Sequence, residues 1–146
     1  MVVVTEASSG QHAVELFREL RPDVTLMDLQ MPLMNGIDAT FEIMRAAPSA
    51  RILILSTYSG DIQAARALEA GAVGYLLKGT LRTELVQTIR SVHRGKRWIP
   101  PEIAVGMAEH CTGDRLSPRE TEVLRRWPRA VQTRSRLINS TSRKKP

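Results

Sequence analysis

Continuous apolar runs that alternate with helical patterns are the feature that most limits the fold of this 146-residue chain. The clearest run is ILIL at residues 52–55, in which every side chain is apolar. A strand without polar residues needs cover on both faces, as in a parallel sheet between layers of helices. Shorter runs occupy residues 2–4, 24–27 and 73–77, and amphipathic helical patterns separate them. The sequence therefore predicts an α/β fold with about four parallel strands and helices on both faces.

Prolines and a glycine mark where several of the predicted helices end. Pro22 and Pro48 close the first two, because the residue before a proline is pushed out of the α-helical region. Gly71 follows the third helix at the position of a left-handed C-terminal cap. A short helix is expected over residues 101–110, and residues 111–113 (CTG) are predicted to be a linker.

The charge of the chain is unevenly distributed. Residues 1–110 carry 11 basic and 12 acidic side chains, whereas residues 111–146 carry 10 basic and 3 acidic ones. The basic tail indicates either a solvated extension or non-specific binding to nucleic-acid phosphates. One cysteine, Cys111, excludes an internal disulfide and a multi-cysteine metal site. No apolar run approaches the roughly 20 residues that span a bilayer, so we expect a cytoplasmic protein without a membrane partner.

Three polar residues directly follow predicted strands: Asp28, Ser56 and Lys78. The carboxyl ends of parallel strands meet at one edge of a sheet, which is where ligands bind in such folds. An aspartate can accept a phosphoryl group as a nucleophile, and a hydroxyl and an ammonium group can bind its oxygens. Each residue taken alone is an ordinary polar residue at the end of a strand, with no function implied. The three together predict a phosphoryl site.

These residues lie in segments that resemble a known family. Residues 26–36 (LMDLQMPLMNG) are similar to the phosphoacceptor segment of bacterial response-regulator receiver domains. Ser56 and Lys78 lie 28 and 50 residues after the aspartate of this segment, which matches the switch hydroxyl and the lysine of that family. Residues 74–78 (GYLLK) resemble the fifth strand of the NarL/FixJ subfamily. Residues 116–124 (LSPRETEVL) resemble the opening of a LuxR-type helix-turn-helix domain.

The resemblance implies a flavodoxin-like receiver fold and a role for each site residue. Asp28 would be phosphorylated by a sensor histidine kinase, and Lys78 would contact the phosphoryl group. Ser56 would move toward that group as the switch hydroxyl, and Tyr75 would rotate inward as the switch aromatic. Such a change is a shift between two arrangements, biased by one local charge. Mg²⁺ would bind the Asp28 carboxylate and the backbone carbonyl of Gln30.

The chain also departs from the family pattern at both ends. A complete receiver begins with a strand and helix that carry an acidic pair for Mg²⁺, and this sequence starts at the second strand, so we expect an incomplete metal site. The absent strand lies centrally in the 2-1-3-4-5 order of the family. Three outcomes are open: the run at residues 2–4 slides into its place, two chains exchange elements, or the product is only marginally stable. The recognition helix of the DNA-binding domain is also expected to be absent, because the likeness stops near Arg126.

Four regions follow from this reading. They are a truncated receiver domain (1–97), a linker with a short helix (98–113), a remnant first helix of a LuxR-type domain (114–127) and a disordered basic tail (128–146). The expected function is that of a fragment of a two-component, DNA-binding transcriptional regulator with weakened phosphorylation and DNA binding. The alternative is an interaction module that dimerises with full-length regulators or titrates a kinase. A phosphatase using Asp28 is disfavoured because Gln30 stands where a second acid is needed, so we predict no enzyme.

Overall fold

The computed structural model describes residues 1–57 and 59–113, and in this part the sheet has three strands. They are β1 (Thr25–Asp28), β2 (Ile52–Ser56) and β3 (Gly74–Leu77). Both neighbouring pairs are parallel, in the spatial order β1-β2-β3. The predicted parallel α/β architecture is confirmed, and three of the predicted strands form close to their expected positions.

Five α-helices connect and follow these strands in the described residues. They are α1 (Gly10–Leu20), α2 (Gly36–Ala46), α3 (Asp61–Glu69), α4 (Leu81–His93) and α5 (Pro101–Gly113). The side chain of Ser9 caps α1 by accepting a hydrogen bond from the backbone N–H of His12. After α1, Arg21 has a left-handed backbone with a φ of 46°, so the helix stops before Pro22 as predicted. Gly71 has a φ of 109°, which suits glycine at the end of α3.

The two faces of the sheet are covered differently. One face contributes Met27, Ile54 and Tyr75 to the main buried cluster, which also contains side chains of α1, α2 and α3. Side chains alternate between faces along a strand, so Leu53 and Leu76 project from the opposite face. Both are buried outside the main cluster. In the described part of the chain, α4 is the helix that covers this second face, above β3.

Helix α5 extends further than the sequence predicts. It runs to Gly113, so the predicted linker at residues 111–113 is helical instead. The helix packs on α3, and Ile103 and Met107 are buried in the main cluster. This packing stabilises a segment whose own sequence indicates only a short helix, because helices in proteins gain most of their stability from tertiary contacts.

The run at residues 2–4, named here the valine segment, does not form the predicted strand. Val2, Val3 and Val4 are 83%, 77% and 62% exposed, and none of them pairs with a strand in the described structure. A β-branched run favours an extended backbone, but a strand exists only when a neighbour supplies the other half of its ladder. The prediction of about four strands is therefore wrong by one for the described residues.

Two other predictions fall on residues that the structure does not describe. The remnant helix of a LuxR-type domain (114–127) and the disordered basic tail (128–146) both lie outside the described residues. Within the described part, no helix is both long enough and apolar enough to cross a membrane.

Candidate functional site

The carboxyl edge of the sheet brings two of the predicted site residues into contact. Asp28 is the last residue of β1, and Lys78 directly follows β3. The Nζ of Lys78 donates a hydrogen bond to Oδ2 of Asp28, across the end of β2. The two side chains are 36% and 34% exposed, so solvent and a reacting partner can reach them. The site therefore combines a nucleophile and a cation at an open edge.

Local hydrogen bonds fix the backbone on either side of this ion pair. The backbone N–H of Gln30 donates to Oδ1 of Asp28 at 3.0 Å, so each carboxylate oxygen has one donor. Lys78 begins a 3₁₀ turn over Lys78–Thr80, in which the Thr80 hydroxyl donates to the carbonyl of Leu77 at 3.0 Å. Both carboxylate oxygens thus accept hydrogen bonds, which orients the Asp28 carboxylate at the edge.

Gly36 is a site residue that the sequence did not reveal. An ideal Cβ at this position would lie 2.1 Å from the backbone carbonyl oxygen of Asp28, which is far closer than any real contact. The Gly36 N–H also donates to the Leu29 carbonyl at 3.1 Å, which ties the start of α2 to the end of β1. Asn35 caps the helix by accepting from the N–H of Asp38 at 2.9 Å. The signal in the sequence was an Asn-Gly pair, which reads only as a turn.

Ser56 and Tyr75 form a second, buried pair beneath the edge. Ser56 ends β2, where it is paired in register with Leu77 of β3, and its exposed fraction is 2%. Tyr75 lies within β3 and is fully buried, so the aromatic ring is already turned inward. Burial raises the pKa of the Tyr75 phenol, and a hydrogen bond with the Ser56 side chain acts in the opposite direction. The structure therefore connects the two predicted switch residues directly.

The described residues do not complete a Mg²⁺ site. Asp28 and the backbone carbonyl of Gln30 could supply two oxygen ligands, as the sequence predicts. No group of three or more Asp, Glu, His or Cys side chains able to hold a metal occurs within the described ranges. Mg²⁺ takes near-octahedral oxygen coordination and is usually held by one or two carboxylates together with waters and phosphate oxygens. Asp28 and the Gln30 carbonyl would supply two of these ligands and would leave the other positions to waters and phosphate oxygens.

Comparison with known proteins identifies the family to which this fold and its site belong. Residues 1–90 match the family described as the response regulator receiver domain. The chain belongs to this family. A two-component response regulator of the LuxR family from Aurantimonas sp. SI85-9A1 superposes with a TM-score of 0.71 at 41% identity, covering 76% of this chain and 79% of that one. The resemblance to NarL/FixJ receivers and the flavodoxin-like fold are both confirmed.

Most of this chain is also similar to proteins that are themselves named response regulators. The response regulator GacA of Pseudomonas aeruginosa is 38% identical over 129 residues, which is 83% of this chain and 60% of GacA. The response regulator UvrY of Escherichia coli is 40% identical over 120 residues, or 82% of this chain and 53% of UvrY. The chain therefore spans little more than half the length of these regulators.

Proposed function

We propose that this receiver accepts a phosphoryl group on Asp28 and that it derives from a DNA-binding transcriptional regulator. The observation that carries the proposal is the ion pair between Asp28 and Lys78 at an exposed sheet edge. A nucleophilic carboxylate beside a cation is suited to phosphoryl transfer, because the cation balances the charge of the incoming oxygens. The same pairing also holds one carboxylate oxygen of Asp28 in place at the exposed edge.

In the proposed step a carboxylate oxygen of Asp28 attacks the phosphorus of a kinase phosphohistidine. A phosphorus–oxygen bond forms, the phosphorus–nitrogen bond breaks, and the electron pair returns to the kinase imidazole. Lys78 then exchanges its contact with Oδ2 for the phosphoryl oxygens. Ser56 reaches the same oxygens once its hydroxyl turns from Tyr75. The roles of Ser56 and Tyr75 as switch residues remain predictions.

Phosphoryl transfer is expected to be weak in the 146-residue chain. A divalent cation neutralises charge during phosphoryl transfer, and the ligand set expected here, Asp28 with the Gln30 carbonyl, offers it only one carboxylate. The reaction then relies on Lys78 for charge balance. We expect occupancy of Asp28 well below one phosphoryl group per chain.

The expected partners follow from the regulator class. A sensor histidine kinase supplies the phosphoryl group, related regulators are dimer partners, and the cytoplasm is the expected location. DNA is a target of the class, and one neighbour is described as two RcsB dimers bound to two parallel DNAs. We expect specific DNA binding by this chain to be weak, because the sequence likeness to a LuxR-type helix-turn-helix domain stops near Arg126, before the recognition helix. We also propose the predicted division of the chain into four regions, with boundaries at residues 97, 113 and 127.

Measurement of the intact mass tests both the acceptor role of Asp28 and the expected low extent of phosphorylation. The chain is incubated with a small phosphodonor and Mg²⁺, beside an Asp28→Asn variant that keeps the shape of the side chain. We expect a minor fraction to gain one phosphoryl group in the parent and none in the variant. No gain at any donor concentration would contradict the acceptor role. A stoichiometric gain that depends on Asp28 would contradict the proposed weakness.

A second candidate is an interaction module that dimerises with full-length regulators or titrates their kinase. The incomplete metal ligand set favours it, because a receiver that binds a kinase without accepting phosphate would act as a competitor. Co-purification with a complete homologue and its kinase separates the candidates. Binding that is unchanged in Asp28→Asn supports the module, and a chain that binds neither protein excludes it.

A further inference from the structure

The chain passes from one face of the sheet to the other along the outer edge of β3. Helix α4 lies on the second face, whereas α5 contributes side chains to the main cluster on the first face. Between the two helices, the N–H of Trp98 donates to the Val73 carbonyl at 3.2 Å, and the Trp98 carbonyl accepts from the N–H of Tyr75 at 2.9 Å. The segment before α5 is therefore attached to the strand that carries Tyr75.

Helix α5 also packs on the face of the sheet that carries the Ser56–Tyr75 pair. It contacts α3, and its residues Ile103 and Met107 are 0% and 5% exposed in the same buried cluster as Tyr75. Side chains alternate between faces along a strand, so Ser56 projects to the same face as Ile54, which belongs to this cluster. The hydrogen-bonded pair thus lies on the face that α3 and α5 cover.

Close packing in this cluster connects the hydrogen bond to the helix. The Tyr75 phenol is buried and has the Ser56 side chain as a hydrogen-bond partner. Loss of that partner leaves a buried hydroxyl unsatisfied, which is costly, and the ring cannot move toward water unless its neighbours move too. In the described part of the chain, α2 and α3 are each held between two strands, whereas α5 is attached to a strand only before its start. Helix α5 is therefore the covering element that can yield.

We propose that α5 is a lid over the Ser56–Tyr75 pair and that its docking on α3 restrains phosphorylation of Asp28. In the docked state Tyr75 holds the Ser56 hydroxyl. When Ser56 turns toward phosphoryl oxygens, the phenol loses its partner and α5 loosens. Coupling between two sites is reciprocal, so loosening of α5 in turn favours the phosphorylated form. The restraint rests on the proposed acceptor role of Asp28, whereas the coupling between α5 and the pair does not.

Hydrogen exchange of the α5 amides tests the coupling without a phosphodonor. Ser56→Ala deprives the Tyr75 phenol of its partner, so these amides should exchange at least about fivefold faster, while the Ile54 amide in β2 exchanges as in the parent. Ser56→Ala combined with Tyr75→Phe also removes the phenol hydroxyl, so exchange should return close to the parent rate. Exchange of α5 that is no faster in Ser56→Ala, or faster only in step with Ile54, would overturn the coupling. A double variant that exchanges as fast as the single one would overturn it too.

Substitutions in α5 itself test the restraint on Asp28. Met107→Ala removes most of a buried side chain but keeps a good helix former, so α5 should undock more often while remaining helical. Val105→Ala is the matched control, because Val105 is 38% exposed on the same helix. With a small phosphodonor and Mg²⁺, intact mass should show phosphoryl uptake about two- to fivefold faster in Met107→Ala and unchanged in the control.

Two outcomes of the uptake measurement have different meanings. Uptake by Met107→Ala that is equal to or slower than that of the parent would overturn the restraint. No uptake by any of the three chains would instead overturn the acceptor role of Asp28, and the exchange comparison would still decide whether α5 is coupled to the Ser56–Tyr75 pair.

Discussion

Leu26 and Met27 are neighbours in the same strand but lie in contrasting surroundings. Met27 faces α1, α2 and α3 and is 1% exposed, whereas Leu26 faces the side that α4 covers only above β3 and is 41% exposed. By strand alternation Asp28 projects to the same side as Leu26. The closed face therefore supplies packing, and the open side supplies access to the phosphoryl site. In this receiver, the residues that stabilise the fold and the residues that would react therefore lie on opposite faces of one sheet.

The strongest test of this contrast truncates each neighbour in turn. Met27→Ala should lower the free energy of unfolding by about 2–5 kcal/mol, because it leaves a cavity in the main cluster. Leu26→Ala should cost less than about 1 kcal/mol, since much of that side chain already contacts water. Denaturant unfolding measures both values. Equal losses would mean that the second face is better covered than the described residues indicate.

Alanine substitutions at two glycines near the site test whether the close approach of α2 to the end of β1 stabilises the fold. Gly36→Ala forces a Cβ against the Asp28 carbonyl oxygen, and should cost about 1–3 kcal/mol as an overpacking change. Gly79→Ala is the control, because Gly79 is beside Lys78 but has no heavy atom within 4 Å of its ideal Cβ. We expect no loss of stability for the control. Thermal unfolding compares the variants, and similar losses would show that the close approach at Gly36 is unimportant.

The elements that the sequence predicted correctly are those that local pattern determines. The runs that became β1, β2 and β3 are mostly apolar, and the rule for parallel strands predicted that Asp28, Ser56 and Lys78 lie at one edge. The valine segment has the same local pattern but no neighbour with which to form a ladder. Strand formation there depends on a tertiary partner, which no local pattern contains.

Gly36 and α5 were missed for a related reason. The close approach of Gly36 to the Asp28 carbonyl depends on how α2 is placed against β1, and an Asn-Gly pair looks the same in an ordinary turn. The length of α5 depends on its packing against α3, which extends a helix whose sequence predicts an earlier end. Both features are contacts between elements rather than properties of a segment.

The pH dependence of stability tests the polar group on the closed face. The Tyr75 phenol has a pKa raised above its usual 10.0 by burial, so the folded state keeps this proton longer than the unfolded state. The resulting contribution to stability is complete below pH 10.0 and is lost as the pH rises through the folded pKa. The free energy of unfolding, measured from about pH 9 to 11, should therefore fall more steeply with pH in the parent than in Tyr75→Phe. Parallel curves would show that Tyr75 is not held neutral by the fold.

The contact between Lys78 and Asp28 is expected to matter little for stability and much for phosphoryl transfer. Lys78→Met removes the ion pair with Asp28 but keeps the apolar stem, and because both side chains are about a third exposed the free energy of unfolding should change by less than about 1 kcal/mol. Phosphoryl uptake should nevertheless fall, since Lys78 is the cation beside the acceptor. Chemical unfolding and intact mass are measured on the same preparation. A large loss of stability would mean that the open side holds the fold together as well as the site, and the contrast between Leu26 and Met27 would then no longer separate packing from chemistry.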